Sequence, residues 1–497
     1  MSTTSRRILP DGFSPIASLG DIPQVTRGEV EGGPRAFIVT AGEAPGAAGL
    51  SAAALEDAGF TGKAGQSIVL ARDGGPVVLA GAGAAEDLTV DAIRDAAATA
   101  ARALAAASSS LTVTVAAGDL PAVEVAAAVT EGAALARYRY RGLKAEPKDK
   151  SLDTLGVVIE GAPDAAVDEG IAAGLVGVRA TVVSRDLGNS PAGFLTATDL
   201  AGVAAELGAE FGFEVESFDR EQLTRMGCGG LLGINAGSAE EPRMIVLRYT
   251  PEGESTGHLG LVGKGIMYDS GGISLKPSDP MHLLMKIDMG GAAAVLGAFT
   301  ALRDQGATAT VTGWLMCTDN MPSGTATKLG DVLITRNGTT VEVKNTDAVG
   351  RLVMMDALAL AVEEGVDGIV DIATLTGAAM MALGKSRAAL FGTDDALVGR
   401  VEAAAEAVDE PVWRLPLEKK YRKQLDSDIA DIANLGGPHA GATTAALFLA
   451  EFVGDTPWAH VDIAGTMQAE ADDSWRSAGA TGFGARLLAG VARDFTA

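Results

Sequence analysis

Three ionisable side chains that could take part in catalysis lie in one glycine-rich stretch after an apolar run. In LVGKGIMYDSGGISLKPS, Lys264 follows the run, Asp269 comes five residues later, and Lys276 follows a glycine pair. Open α/β sheets bind ligands beyond the carboxyl ends of their strands, and we predict that this strand ends at Lys264. The stretch is therefore a candidate ligand site, but a surface ion pair between Lys264 and Asp269 is an open alternative.

Two further segments bring acidic and basic groups into apolar, glycine-rich surroundings. Asp288 is the lone acid of MKIDMGGAAAV, and Asp347 and Arg351 lie in NTDAVGRL. A buried carboxylate is costly unless it is paired or coordinates a metal. The three carboxylates and Lys264 are therefore better explained as ligands than as surface charges.

This set of side chains is typical of a hydrolytic site with two divalent ions. Carboxylates bind hard or borderline cations, and two ions about 3.5–4 Å apart form the usual hydrolytic pair. Lysine binds a metal only as the neutral amine, so nearby ions would have to lower the pKa of Lys264. A histidine-based zinc centre is not expected, because no metal-site spacing relates the four histidines, which are His258, His282, His439 and His460.

Two nucleotide-binding motifs are approximated but not completed. GAGAAE lacks the third glycine and the helix opening of the dinucleotide-binding fingerprint. GHLGLVGKG spaces its glycines one residue too far apart and has no serine or threonine after the lysine. We therefore expect neither a dinucleotide cofactor nor a phosphate-binding loop.

The composition predicts a soluble protein of a reducing compartment. The chain has 497 residues, 47% of them hydrophobic, and charge or glycine interrupts every long apolar run. Residues 1–20 show no secretory signal, and two cysteines are too few for a disulfide framework. The formal net charge of −25 repels phosphate backbones. We expect a cytoplasmic protein with no nucleic-acid or membrane partner.

Strand-like and helical stretches alternate along the chain, which predicts an α/β fold in two domains. Residues 1–163 form the smaller N-terminal α/β domain, for which we expect a variable, oligomerisation or regulatory role. Residues 164–189 have the pattern of a linking helix. Residues 190–497 form the larger catalytic α/β domain, with a central, mostly parallel sheet covered by helices.

Motifs in the second half of the chain together resemble the leucyl aminopeptidase family, also called M17 or cytosol aminopeptidase. The matching segments are GKGIMYDSGG, MKIDMGGAAAV, DNMPSGTA, NTDAVGRL and WAHVDIAG, in the order of the family. Weaker matches such as RDLGNSP and GATGFGARLL extend the resemblance over about residues 180–490. The resemblance implies a metal-dependent aminopeptidase that takes a peptide with a free N-terminus and forms a homo-hexamer.

The resemblance also implies a role for each ionisable group. Lys264, Asp269 and Asp288 would hold the tighter of two metal ions, zinc or manganese. Asp269 and Asp347 would hold the exchangeable ion, so Asp269 would bridge the pair. Lys276 would polarise the scissile carbonyl and stabilise the oxyanion.

An anion site and a side-chain pocket are implied in the same way. Arg351 would hold a bicarbonate ion that acts as the general base. The specificity pocket would be an apolar hole suited to Leu or Met side chains, and its lining residues would be Met285, Thr374, Gly377, Ala464 and Met467.

Val349 departs from the family motif NTDAEGRL, whose glutamate binds both metals. Alternate side chains of an extended loop share a face, so we expect Asp347, Val349 and Arg351 to face the site together. Valine supplies no ligand, so three carboxylates instead of four offset the repulsion between two dications. We expect one firmly held metal and a weakened second one.

Three explanations of Val349 are open. It is an inactivating change, a native residue of a disabled scaffold or peptide-binding protein, or a native residue of an enzyme with a narrowed substrate range. The other ionisable groups of the site are all present, which favours an active but altered enzyme, for instance one that trims a peptide in a biosynthetic pathway. Smaller departures at Gly193, Met267, Tyr268 and Leu329 are interpreted as packing adjustments.

Overall fold

The structure is a computed structural model that describes residues 8–141 and 150–497. Residues 17–182 and 469–479 form one compact unit, and residues up to 16, 183–468 and 480–497 form the other. The segment 469–479 therefore folds with the first unit, whereas the predicted limits assign it to the second domain. Residues 1–7 of the segment inspected for a secretory signal lie outside the described residues.

The first unit is built around a six-stranded sheet with the strand order β1-β6-β5-β2-β4-β3. All neighbouring strands are parallel except the antiparallel pair β3 and β4. The strands are β1 Gln24–Arg27, β2 Arg35–Val39, β3 Ser67–Leu70, β4 Val77–Gly81, β5 Ser110–Ala116 and β6 Thr154–Glu160. The helices are α1 Ala52–Asp57, α2 Val90–Ala103 and α3 Ala122–Arg137, with 3-10 turns at Ala17–Asp21, Gly46–Ala48 and Ala85–Asp87.

Alanine and glycine let α2 and α3 approach each other closely. A Cβ atom on Gly132 would lie 2.2 Å from the carbonyl oxygen of Arg94, so only glycine fits there. The buried guanidinium of Arg94 is neutralised by Glu131 on α3, with Nε to Oε2 at 2.9 Å. The Ala-rich sequence of these two helices thus allows them to pack tightly.

The long helix α4, Asp164–Asn189, coincides with the predicted linking helix. The boundary between the two compact units falls within it, between residues 182 and 183.

The second unit contains an eight-stranded sheet with the order β15-β14-β17-β13-β9-β10-β8-β7. Its strands are β7 Glu214–Phe218, β8 Arg243–Tyr249, β9 His258–Asp269, β10 Thr310–Asn320, β13 Gly368–Ala373, β14 Ala388–Gly392, β15 Val412–Arg414 and β17 Trp458–Asp462. A smaller sheet has the order β11-β12-β16, formed by Val332–Ile334, Thr340–Glu342 and Ile432–Ala433. Two short strands, β18 Gln468–Ala469 and β19 Gly479–Ala480, flank residues 470–478.

Ten further helices follow α4. They are α5 Ala197–Phe211, α6 Arg220–Met226, α7 Gly229–Asn235, α8 Pro280–Leu283, α9 Gly290–Phe299, α10 Gly350–Glu364, α11 Gly377–Leu383, α12 Asp395–Ala407, α13 Gly441–Ala450 and α14 Ala485–Arg493. The 3-10 turns of this unit are Met285–Ile287 and Lys419–Leu425.

The four central strands β17, β13, β9 and β10 are all parallel, and antiparallel pairs occur on either side. These central strands are almost wholly buried, as expected of parallel strands with helices on both faces. Strand β9 contacts α9 and α10. The prediction of an α/β fold with a central, mostly parallel sheet is confirmed.

Among the described residues, every helix is too short or too polar to cross a lipid bilayer.

Candidate metallohydrolase site

Strand β9 carries two of the predicted ligands, but it does not end at Lys264 as predicted. It continues to Asp269, and its pairing with β10 slips between Ile266 and Asp269. The pairing advances three residues on β9, from Ile266 to Asp269, but only two on β10, from Thr318 to Asn320. This extra residue on β9 is a β-bulge. Residues an odd number apart on a regular strand point to opposite faces, so the extra residue lets Lys264 and Asp269 serve the same site.

Lys264 and Asp288 form the most buried pair of the site. Their side chains meet at 2.7 Å, from Lys264 Nζ to Asp288 Oδ1, and are only 4% and 7% exposed. Lys264 Nζ also donates to the carbonyl oxygen of Thr374 at 2.6 Å, and the Thr374 hydroxyl donates to Asp288 Oδ1 at 2.7 Å. The alternative of a surface ion pair between Lys264 and Asp269 is wrong, because both residues are buried and Lys264 pairs with Asp288.

The charged form of the Asp288 carboxyl is disfavoured by its surroundings. Burial raises the pKa of its carboxyl to about 6, and the negative charge of Asp269 adds to this while the Lys264 ammonium opposes it. Its second oxygen, Oδ2, is buried and has no hydrogen-bond partner among the described residues. A buried acceptor without a donor is costly, so this oxygen is suited to binding a cation.

Asp269 and Asp347 converge on Lys276. Lys276 Nζ lies 3.2 Å from Asp269 Oδ2 and 2.5 Å from Asp347 Oδ1. Burial disfavours the ammonium, but the charges of the two carboxylates outweigh it and raise the pKa of Lys276. The other oxygen of Asp269 accepts from Asn320 Nδ2 at 2.7 Å and from the Gly271 amide at 2.9 Å. Lys276 is therefore held as a cation.

The glycine pair between Asp269 and Lys276 is required by the path of the loop. Gly271 and Gly272 have φ values of 88° and 62°, which favour glycine. A Cβ atom on Gly271 would lie 2.5 Å from Ser274 O, and one on Gly272 would lie 2.8 Å from Asn320 Oδ1. The turn these glycines allow brings Lys276 back to Asp269.

The segment around Val349 is not the extended loop that we predicted. Thr346 and Asp347 form a turn, and Val349 has φ −93° and ψ −28° at the start of helix α10. Its carbonyl oxygen already accepts from the amides of Leu352 and Val353. The Val349 side chain is 1% exposed and belongs to the hydrophobic core cluster, so the position is filled by apolar packing.

Arg351 lies in the first turn of α10 and is buried without an ion-pair partner among the described residues. Its Nη1 donates to the carbonyl oxygen of Asn434 at 2.9 Å, while Nε has no partner in the described part of the chain. Burial lowers the pKa of Arg351 to about 10, against the opposing charge of Asp462. A buried cation with an unused donor is suited to binding an anion.

The donor set fits divalent ions, although the structure itself pairs the carboxylates with lysines. Among the described residues, no three His, Cys, Asp or Glu side chains are close enough to hold an ion by themselves. The resemblance implies that Lys264 would complete such a site. The unpartnered oxygen of Asp288, close to Asp269 and Lys264, is the structural observation that favours such a site.

The structure places the five predicted pocket residues on three chain segments, around Met285, at Thr374 and Gly377, and at Ala464 and Met467. Met285 begins a 3-10 turn just before Asp288, and Thr374 contacts Asp288 directly. Gly377 is exposed at the start of α11, and Ala464 is half-buried after β17. Met467 is fully buried, and a Cβ atom on Gly290 would lie 2.7 Å from its Cγ, so it packs against α9.

Family models identify both parts of the chain. Residues 182–489 match the catalytic domain of the cytosol aminopeptidase family, and residues 42–147 match its N-terminal domain. The chain belongs to the cytosol aminopeptidase family. It is a leucine-aminopeptidase-like hydrolase of the M17 class, which depends on divalent metals, and the resemblance found in its motifs is confirmed.

Curated relatives and solved structures of this family cover most of the chain. A probable cytosol aminopeptidase of Solibacter usitatus is 43% identical over 422 residues, which is 85% of this chain and 87% of the relative. One of Chlorobaculum tepidum is 41% identical over 465 residues, covering 89% and 92%. The bottromycin maturation enzyme BotP in complex with Mn is 39% identical with a TM-score of 0.85, covering 93% and 98%. A mutant of tomato leucine aminopeptidase is 32% identical with a TM-score of 0.85, covering 96% and 97%.

Three residues of this aminopeptidase site were missed from the sequence. Asn320, at the end of β10, holds Asp269. Asp462, at the end of β17, accepts from the Leu375 and Thr376 amides at 3.2 and 3.3 Å and so fixes the segment that begins with Thr374. Both follow apolar strands, a signal that could have found them. Asn434 follows no such run, and nothing in its sequence context marks it.

Proposed function

We propose that this chain removes an N-terminal residue with an apolar, Leu- or Met-like side chain from peptides, using divalent metal ions. Lys264, Asp269 and Asp288 would hold the first ion. Asp269 and Asp347 would hold the second, which would be weak because Val349 supplies no carboxylate. The observation that carries this proposal is the unpartnered Oδ2 of Asp288, buried beside Lys264 and close to the charge of Asp269.

The divalent ions, when bound, supply Lewis acidity to the peptide carbonyl and lower the pKa of water. Lysine binds a metal only as the neutral amine, so Lys264 would serve as a ligand in that form. Met285, Thr374, Gly377, Ala464 and Met467 line the pocket for the apolar side chain.

Lys276 is the electrophilic group of the proposed mechanism. Its raised pKa keeps it charged at neutral pH, and it lies within 3.2 Å of Asp269. A fixed ammonium stabilises negative charge on the carbonyl oxygen in the transition state more than in the ground state. Binding of cations by Asp269 and Asp347 would release Lys276 from them towards the substrate.

Arg351 supplies the anion site of the proposed mechanism. Its buried guanidinium has an unused Nε–H, so a small anion such as bicarbonate can bind there without displacing a protein carboxylate. A bicarbonate ion held by Arg351 would supply a general base for the attacking water. Arg351 therefore positions the base and does not itself move a proton.

Charge balance explains why the second ion is weak. In the described structure two lysines pair with the three carboxylates, Lys264 with Asp288 and Lys276 with both Asp269 and Asp347. Two unit charges 4 Å apart interact by about 4 kcal/mol at an effective dielectric of 20, so two dications repel by roughly 16 kcal/mol. Three carboxylates offset less of this repulsion than four would, and the loss falls on the ion with only two protein ligands.

A role in trimming one dedicated peptide fits a site with a weakened second ion, because such an enzyme needs little turnover. The likeness to BotP, whose structure is that of a bottromycin maturation enzyme, supports this role. We expect a cytoplasmic homo-hexamer that acts on a peptide with a free N-terminus.

Substitution of Lys276 by Met tests the proposal, with the exposed Lys63→Met as the matched control. The unchanged protein and the control should hydrolyse Leu and Met anilides only when Mn²⁺ or Zn²⁺ is added. Lys276→Met should lower kcat by on the order of 10²–10³, the usual effect of losing one oxyanion-stabilising donor. Metal-independent hydrolysis, or full turnover by Lys276→Met, would contradict the proposed mechanism.

The competing function is a disabled scaffold or peptide-binding protein that keeps one structural metal. It is favoured by Val349 alone, whose side chain packs in the hydrophobic cluster. A protein that binds one Mn²⁺ ion and Leu-containing peptides but shows no hydrolysis with any divalent metal would support this function instead.

A further inference from the structure

We propose that Asn434 is the positioning residue of the weak second metal site, which holds Asp347 in place by binding the backbone on both sides of it. The inference rests on the proposed function, in which Asp347 is a ligand of that ion. Asn434 does not itself touch a metal or a substrate.

The small three-stranded sheet brings Asn434 to this loop. Strand β16 pairs in parallel with β12, with Ile432 opposite Val341 and Ala433 opposite Glu342. The Asn434 amide continues the ladder by donating to the Glu342 carbonyl oxygen at 3.0 Å. Asn434, the first residue after β16, therefore lies beside the residues that follow β12 and lead to Asp347.

All four hydrogen-bonding positions of the Asn434 side chain are used on this loop. Oδ1 accepts from the amides of Lys344 at 2.8 Å and Asn345 at 3.3 Å. Nδ2 donates to the carbonyl oxygens of Asn345 at 2.7 Å and Ala348 at 3.3 Å. A primary amide has two donor hydrogens and two acceptor lone pairs, so no other side chain of this size satisfies the same four groups.

Both flanks of Asp347 are fixed in this way. Asn434 binds both the backbone amide and the backbone carbonyl of Asn345. The side-chain Oδ1 of Asn345 in turn accepts from the Asp347 amide at 2.6 Å. Ala348 is the next residue after Asp347, and its carbonyl is held by Asn434. The turn around Asp347 lacks a strand or helix ladder, so these bonds replace one.

Arg351 is tied to the same residue. Its Nη1 donates to the backbone carbonyl oxygen of Asn434 at 2.9 Å, and Asn434 is fully buried. The side chain of Asn434 thus fixes the ligand loop, while its backbone fixes the anion-binding arginine. Because Val349 supplies no ligand, the second ion would have only Asp269 besides Asp347, and a displaced loop would leave it with a single carboxylate.

The test compares Asn434→Asp and Asn434→Ala with the matched control Asn337→Asp. Asn337 lies in the exposed turn between β11 and β12 and accepts from Thr335 and Thr339, so it reports on an Asn-to-Asp change away from Asp347. Asn434→Asp is almost isosteric and keeps the acceptors and the backbone carbonyl. It removes both donors and sets a carboxylate against the carbonyl oxygens of Asn345 and Ala348.

Two measurements decide the outcome. Calorimetric titration with Mn²⁺, continued into the millimolar range, should show the second binding event weakened at least about tenfold in both Asn434 variants, because two or more buried hydrogen bonds are lost. The first event should stay within about threefold, since its ligands lie on other segments. Amide hydrogen exchange should rise in residues 344–349 and stay unchanged in β9.

Equal weakening of both ions, or no change in either, would overturn the positioning role. If the unchanged protein binds only one ion over this range, the same substitutions are made in the Val349→Glu variant, where the second event is restored, and the same two results decide. Neither measurement uses hydrolysis, so an absence of aminopeptidase activity would count against the proposed function without deciding the role of Asn434.

Discussion

The two halves of the candidate site are held by different kinds of structure. Lys264 lies inside a central strand, and Asp288 packs between it and Thr374, with both carboxylate and amine almost fully buried. Asp347 lies in a turn and is 36% exposed, and Arg351 follows in the first turn of a helix. The first half is fixed by the sheet, whereas the second is held by side-chain hydrogen bonds to a turn, from Asn434 on both sides of Asp347 and from Asn320 to Thr346.

The difference explains where the site tolerates a departure from its family. A lost ligand at Lys264 or Asp288 would leave a buried charge unpaired, which is strongly destabilising. Val349 instead joins the hydrophobic cluster and adds no polar group that needs a partner, so the fold does not need the family's glutamate. We therefore expect a substitution at Val349 to change the affinity for the second ion without loss of the fold. A substitution at Lys264 or Asp288, which would hold the first ion, should destabilise the fold.

The largest effect should come from Asp288→Asn in the first half. It removes the charge beside Lys264 and the oxygen with no other partner, so metal binding should fall by more than the roughly 10- to 100-fold caused by losing an outer partner of a ligand. Hydrolysis of a leucine anilide should fall with it. The exposed Asp73→Asn is the control, and a variant that keeps its tight metal would break the distinction between the halves.

A smaller effect is expected from Val349→Glu, with Val349→Gln as the uncharged control of equal size. With Mn²⁺ present, the glutamate should strengthen the second binding event at least about tenfold, since each added carboxylate offsets repulsion between the ions. Without metal, both variants should lose about 1–3 kcal/mol of unfolding free energy, because a polar group enters an apolar cluster. Equal second-ion affinities for the Glu and Gln variants would show that charge is not what the site lacks.

The smallest effect should come from Gly350→Ala. Gly350 links the two halves, because it begins α10 beside Arg351 and lies against the Lys264 side chain. A Cβ atom there would lie 2.8 Å from Cδ and Cε of Lys264, so overpacking should shift the amine. Because the Lys264 side chain is flexible, the loss of unfolding free energy should be about 1 kcal/mol, the low end for overpacking. The matched control is Gly399→Ala in α12, where a Cβ atom meets nothing within 4 Å. That change should stabilise the protein by up to about 1 kcal/mol, as alanine does in a helix. Thermal unfolding measures both, and equal shifts would mean that Gly350 is not packed against Lys264.

Much of the fold follows from the sequence, because the strands and helices of the second unit carry strong local patterns. The apolar runs of β9, β10, β13 and β17 and the helical pattern of α10 require only neighbouring residues to be interpreted. The end of β9 was predicted five residues too early, since the continuation to Asp269 depends on a bulge against β10. The register between two strands cannot be predicted from the sequence of either strand alone.

The sequence predicted the charged residues of the site but not the uncharged residues that position them. Lysine and aspartate in apolar, glycine-rich sequence are conspicuous because burial of their charges requires a reason. Asn434 carries no charge and acts through backbone atoms of a loop about 90 residues away. The extended loop predicted around Val349 is wrong for a related reason, because the start of α10 and the hydrophobic cluster set its conformation.

The most direct test of the account is a stepwise titration of the metal-free protein with Mn²⁺, followed by elemental analysis and leucine anilide hydrolysis on the same sample. The account predicts one tightly bound ion per chain, a second that binds at least about tenfold more weakly, and hydrolysis that rises with the second ion. Two ions bound with equal, high affinity would contradict it, because another group would then have replaced the carboxylate that Val349 lacks.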